Sequence, residues 1–140
     1  MTNTHPSVVI DASVWVSLIL SQDVNNTLAK NWITHHTQGG GLLVAPDLLA
    51  VELSGALSRI TGHPQSAYQA ANQLYLLPFM RIVHLDRGLV SEEMRIAADH
   101  ALRGASSMYV ALAKIEGIPL VTFDNEQLAR PAGIISTIRP

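Results

Sequence analysis

With 140 residues, no cysteine and a formal net charge of −2, the chain excludes disulfides, thiolate zinc sites and cysteine nucleophiles, and it lacks the Lys and Arg excess of proteins that capture nucleic acid by bulk charge. Its length fits a single domain over residues 1–140, and 48% apolar residues suffice for a core. Only 14% of residues are charged, against about 25% in an ordinary globular chain, so the sparse polar surface argues for a homodimer or an obligate partner.

The N-terminus, MTNTHPSVVIDAS, has no basic leader ahead of a long apolar stretch, and the apolar run from Val14 to Leu20 falls short of the ~20 residues a membrane span needs. A cytoplasmic protein without membrane contact is expected. Residues 7–10 read as a strand feeding a helix over 13–20, with an amphipathic helix from about Val24 to His36. Three glycines at 39–41 break the chain, 42–45 read as a strand, and Pro46 with Asp47 is expected to open a helix running to about Ile60.

Further on, the pattern predicts a helix over 65–76, a strand over 81–85, and a helix over 88–102 with Glu92 and Glu93 early and Arg103 late, as the macrodipole favours. A helix over 105–116 ends at Gly117, followed by a strand over 118–123, a short helix over 125–130 and a strand over 134–138. Strands separated by helices throughout predict an α/β fold, a mainly parallel sheet covered on both faces. Ligands of such folds sit outside the carboxyl ends of the strands.

That rule selects the acids. Asp11 follows VVI and Asp124 follows PLVTF, so both emerge at the carboxyl edge. In PDLLAVELSGALSR the helical neighbours of Glu52 are Leu48, Leu49, Gly55 and Ala56, which puts a carboxylate on an apolar, small-residue face. Burying it alone costs several kcal/mol, so a base, a metal or a proton must compensate. Each acid also has a plainer reading: Asp11 and Asp124 as helix N-caps, Glu52 as an ion-paired core acid. Together they suggest an oxygen-rich site for Mg²⁺ or Mn²⁺.

Other acids read as caps, helix-turn or surface residues. Asp99 is a solvated helix residue and the nearest candidate for an auxiliary acid. The six histidines form no HxxxH pattern and read as surface residues. No GxxxxGK[ST], GxGxxG or GxSxG signature is present.

The segments VVIDASVWV, LVAPDLLAVELSGALSR, LRGASSMYVALA and GIPLVTFDNEQLA, in this order and spacing, resemble the PIN domain, and within it the VapC-type toxins of toxin–antitoxin pairs. The resemblance covers about residues 7–138. It implies a three-layer α/β/α fold around a five-stranded parallel sheet, an Mg²⁺- or Mn²⁺-dependent ribonuclease with Asp11, Glu52 and Asp124 as its acids, and Thr122 as a small polar residue near the site. It also implies an RNA substrate, a homodimer and a VapB-like antitoxin, for which Trp15 and Trp32 are candidate anchors.

One position departs from the pattern. The family usually reads Gly-Ala-Asp where this chain reads Gly104-Ala105-Ser106, so one metal-facing carboxylate is replaced by a neutral hydroxyl. Hard cations are held largely by ligand charge, and affinity should fall accordingly. The alternative is therefore a PIN-like binding module that has lost catalysis. In the enzyme reading Ser106 and Thr122 position solvent or substrate, and Arg103 and Lys114 are candidates for the RNA backbone.

Overall fold

The strand Ser7–Ile10 (β1) buries Val8, Val9 and Ile10 in succession, and neighbouring side chains on a strand point to opposite faces. Both faces of the sheet must be covered there. A computed structural model describes residues 6–131 and 133–140; the leader expectation over the first five residues, and His5, lie outside them.

After β1 come α1 (Ala12–Ile19), α2 (Asn26–Gln38), β2 (Leu42–Pro46), α3 (Leu49–Thr61), α4 (Pro64–Gln73), a 3-10 turn (Leu74–Leu76) and β3 (Met80–Val83). The chain continues through α5 (Arg87–His100), α6 (Gly104–Glu116), β4 (Leu120–Val121), α7 (Asn125–Ala129) and β5 (Thr137–Ile138). All pairings are parallel and the order is β3-β2-β1-β4-β5. Helix α1 packs on α2 and α3, and α3 on α4, while α6 lies on β1, β2 and β4 with α5 against it. This is the expected three-layer α/β/α fold. Helix α6 is buried continuously from Ser107 to Ala113, as its nearly unbroken apolar sequence demands of a helix enclosed on several sides.

Several boundaries differ from the sequence reading. Pro46 closes β2 instead of opening α3. Backbone N–H groups of β2 alternate sides, Leu42 donating to Pro6 and Leu43 to Phe79, so Pro46 faces β1, where pairing has ended at Val9↔Val44. Its missing donor costs nothing there. Asp47 does not cap α3; its Oδ2 accepts from Leu85 N at 3.3 Å. Glu92 and Glu93 fall beyond the first turn of α5, which Asp86 caps through Leu89 N at 2.8 Å. The last two strands shrink to Leu120–Val121 and Thr137–Ile138, and one further bond, Thr122 N to Ile138 O at 3.0 Å, extends their ladder.

From β1 the sheet grows outward through β2 on one side and β4 on the other. The carboxyl ends of β1 and β4 therefore form the topological switch point, where an open α/β sheet leaves a crevice. Asp11 and the Thr122–Asp124 segment emerge there.

Candidate metal and catalytic site

Asp11 is only 7% exposed. Its Oδ2 accepts from Ser13 N at 3.1 Å, capping α1, and lies 3.1 Å from Thr122 Oγ1. Burial pushes its carboxyl above the ordinary range, against the hydrogen bonds from Ser13, Thr122 and Gln127. Thr122 is fully buried and links Asp11 to the start of α7. Its Oγ1 stands 2.7 Å from Gln127 Oε1 and accepts from Asp124 N at 2.9 Å. Gln127 Nε2 donates to Ser106 O at 3.2 Å, which fixes the amide with its oxygen toward Thr122. One threonine proton thus faces two acceptors, Asp11 and Gln127.

Glu52, half-buried in the first turn of α3, accepts at Oε1 from Tyr109 Oη at 2.5 Å. Tyr109 lies in the buried run of α6; burial and the nearby charges of Glu52 and Asp11 hold its phenol far above the usual value. The Glu52 carboxyl is raised by burial and by the charge of Asp11, while the Tyr109 bond and Arg59 oppose the shift. Arg59 lies along the helix face that Gly55 leaves open, its Nη1 3.2 Å from where a Cβ would stand. Asp11 and Glu52, on different elements, are near enough to feel each other's charge.

Asp124 caps α7, accepting at Oδ1 from Glu126 N at 2.8 Å and Gln127 N at 3.4 Å. Each of the three acids therefore commits one oxygen to the protein. The second oxygens, Asp11 Oδ1, Glu52 Oε2 and Asp124 Oδ2, make no hydrogen bond among the described residues. The one fully buried side-chain N or O atom without a partner among those residues is Trp15 Nε1, so the free carboxylate oxygens face accessible space. Among the described residues no three His, Asp or Glu side chains gather closely enough to enclose an ion. The arrangement is two acids in electrostatic contact and a third joined to them through Thr122. Such a donor set fits Mg²⁺ or Mn²⁺, which commonly bind one or two carboxylates and keep several waters.

Ser106 is half-buried near the start of α6, whose first turn holds no acid. Its carbonyl receives Gln127, while its hydroxyl has no hydrogen-bond partner among the described residues. Asp99 is exposed on α5 and bonds to none of these residues. Lys114 is an exposed surface residue, as expected, and pairs with Glu92 at 2.5 Å, ten residues along α6 from Gly104 and about 15 Å away at 1.5 Å per residue. Trp15 is 1% exposed, a core residue and not a surface anchor. Trp32, half-buried, stacks on His36 with centroids 4.9 Å apart. His35, His63 and His84 are exposed as expected; His36 and His100 are half-buried.

Four residues escaped the sequence reading. Tyr109 had a signal: a phenol within an apolar helix needs a partner for its hydroxyl. Gln127 and Ser13 had weaker ones, as polar residues beside the two aspartates. Glu93, read as a first-turn surface acid, is half-buried, and burial raises its carboxyl. It shares a cavity of about 370 Å³ with Glu52, Leu48, Val51, Gly104 and Met108.

The sequence matches the PIN domain family over residues 8–134. No curated protein matches it in sequence. Among solved structures the chain is similar to Mycobacterium tuberculosis VapC20, a sarcin–ricin-loop-cleaving toxin, with a TM-score of 0.79 and 22% identity over 95% of this chain and 99% of that one. It is similar to VapBC2 of Rickettsia felis, solved with a promoter DNA fragment, with a TM-score of 0.72 and 11% identity over 96% and 98%. FitAcB of Neisseria gonorrhoeae follows with a TM-score of 0.70 and 15% identity over 94% and 96%. Identities this low establish a common fold.

Proposed function

The chain belongs to the PIN domain family, and from that premise we propose that it is a metal-dependent endoribonuclease of the VapC type, the toxin of a toxin–antitoxin pair, with Asp11, Glu52 and Asp124 as metal-holding and catalytic acids. One observation carries the reading. Asp11 and Glu52 are close enough at the switch point to feel each other's charge, with carboxyls raised by burial, each retaining an oxygen that makes no hydrogen bond among the described residues. Two acids held this close repel when both are ionised, and a shared divalent cation would relieve that repulsion.

Bound there, Mg²⁺ or Mn²⁺ would polarise a phosphoryl oxygen and make water more acidic. The chain's own groups do the rest. Ser13 N and Thr122 Oγ1 fix Asp11 Oδ2 and turn Oδ1 outward. Tyr109 holds Glu52 Oε1 and leaves Oε2 free. Asp124, fixed at Oδ1 by the start of α7, keeps Oδ2 available to orient the attacking water and take its proton. Water oxygen adds to phosphorus as its proton passes to Asp124, the P–O3′ bond breaks and O3′ takes a proton from solvent, giving a 5′-phosphate and a 3′-hydroxyl. Ser106 Oγ, with no partner of its own, places solvent or a phosphate oxygen. Asp99, exposed on α5, takes no part. Among the described residues no helix is long and apolar enough to cross a membrane; we place the protein in the cytoplasm as one domain, a homodimer restrained by a VapB-like antitoxin.

A second reading, a PIN-like binding module, rests on the acid-free first turn of α6. RNA cleavage in Mg²⁺ and Mn²⁺ by the native chain, Asp11→Asn, Glu52→Gln and Ser106→Asp separates the two. Native cleavage that both acid substitutions abolish supports the nuclease. Cleavage by Ser106→Asp alone makes the native chain a binding module, and cleavage that survives both acid substitutions ends the proposal.

A further inference from the structure

Arg139 follows β5 and so emerges at the carboxyl edge of the sheet, beside the site. Its Nη1 donates to Phe123 O at 3.1 Å, and its guanidinium carbon lies 5.3 Å from the centroid of the Phe123 ring. The carbonyl it grips belongs to the peptide unit whose N–H, that of Asp124, donates to Thr122 Oγ1. In a trans peptide these two groups point in opposite directions. Arg139 therefore stands on the far side of this peptide from Thr122 and Asp11, one step removed from the acids along the strand end.

The other cations are differently placed: the Arg103 side chain, exposed at the N-cap of α6, makes no hydrogen bond or ion pair among the described residues that would hold it. Arg81, Lys114 and Arg130 pair with Glu116, Glu92 and Glu126, and Arg59 spends its charge on Glu52. Arg139 has no acidic partner among the described residues, yet two contacts hold it in place. A guanidinium has five N–H donors in a planar fork suited to phosphate, and only one is engaged here. Its stacking on Phe123 reduces the entropy lost when an anion binds.

We propose that Arg139 is a phosphate anchor for the RNA strand, binding a phosphodiester adjacent to the one cleaved. The inference rests on the nuclease reading and adds a positioning residue to it. The contact is sequence-independent, so it sets the register of the strand across the acids without selecting bases.

Fluorescence anisotropy of a labelled single-stranded RNA 20-mer, titrated with the full chain in Ca²⁺ across a salt series, tests it. Arg139→Gln keeps a stem over Phe123 and one donor but removes the charge. We expect affinity to fall about tenfold and the slope of log K against log salt to drop by about 0.7. Arg139→Lys, which retains a point charge, should keep the slope. The melting temperature and Mn²⁺ affinity of both variants should match the native chain. If Arg139→Gln instead lowers melting temperature or Mn²⁺ affinity while the salt slope stays native, Arg139 is a structural latch on the Asp124 peptide and the anchor is wrong. Native-like binding by Arg139→Gln also overturns it. If the native chain binds no RNA at any salt concentration, the nuclease reading fails with it.

Discussion

Replacing Asp11 by Asn should remove a pH-dependent weakness that only a divalent cation relieves. Burial raises the Asp11 carboxyl above its ordinary 3.8 in the folded chain. The folded state then holds its proton more tightly than the unfolded state does. The resulting stabilisation is fully present below about pH 3.8 and is lost as pH rises through the raised value. Above that window the metal-free protein carries a penalty of about 1.4 kcal/mol for every unit of displacement. Asn caps a helix about as well as Asp, so the bond from Ser13 N survives and the comparison isolates the charge. Thermal unfolding from pH 4 to 9 in EDTA, set against 10 mM MnCl₂, provides the assay. The native chain should lose stability relative to Asp11→Asn as pH rises. Mn²⁺ at a hundred times its dissociation constant should restore about 2.7 kcal/mol, on the order of 10 °C in melting temperature for a domain of this size. Asp11→Asn should show a much smaller Mn²⁺ shift. An unchanged pH slope in the variant, or an undiminished Mn²⁺ shift, would refute the account of Asp11 as a strained ligand.

Three more substitutions probe the supports. Tyr109→Phe removes the donor to Glu52 Oε1; stability should fall by about 1 kcal/mol, and kcat for RNA cleavage should fall with KM little changed. Gln127→Leu removes the bonds to Ser106 O and Thr122 Oγ1 and should cost about 1–3 kcal/mol by urea unfolding, since Ser106 O stays within α6 and Thr122 can still donate to Asp11. Ser106→Asp should tighten Mn²⁺ binding by roughly tenfold, a common effect of changing one group at a metal site, as read by calorimetry; unchanged affinity would place residue 106 outside the ion's reach.

The strand-end logic made the fold legible. β1 and the start of β2 fall where the β-branched and apolar runs place them, and Gly117 ends α6 with φ of 67°. The errors arise where a local signal serves a tertiary need. Pro46 looks like a helix-opening residue, yet it sits at a strand end because the neighbouring strand stops first. The strand expected over 118–123 is cut to Leu120–Val121, the two residues paired both with β1 and with β5. Within the site, Asp11 and Asp124 lie where the strand ends put them, while Thr122 was expected only from the family resemblance. Tyr109 and Gln127 were not expected, since their roles arise from packing α6 and α7 against elements distant in sequence.

The cap and ligand readings of the aspartates turn out not to compete. An N-cap uses one carboxylate oxygen to satisfy backbone N–H groups and in doing so fixes the plane of the whole carboxylate. Asp11 and Asp124 both cap helices through a single oxygen, so capping itself aims the other oxygen out of the strand end. Glu52 lies within its helix and cannot be aimed this way; it is held by a side chain, Tyr109. Ser106, although it begins α6 beside these groups, has neither charge nor an anchored hydroxyl. The two caps and the phenol therefore set the geometry of the acids, and α6 contributes its carbonyl at Ser106 to Gln127 and its tyrosine to Glu52. The acids are thus held independently of residue 106, which is why a carboxylate placed there by Ser106→Asp should add to the proposed cation site without rebuilding it.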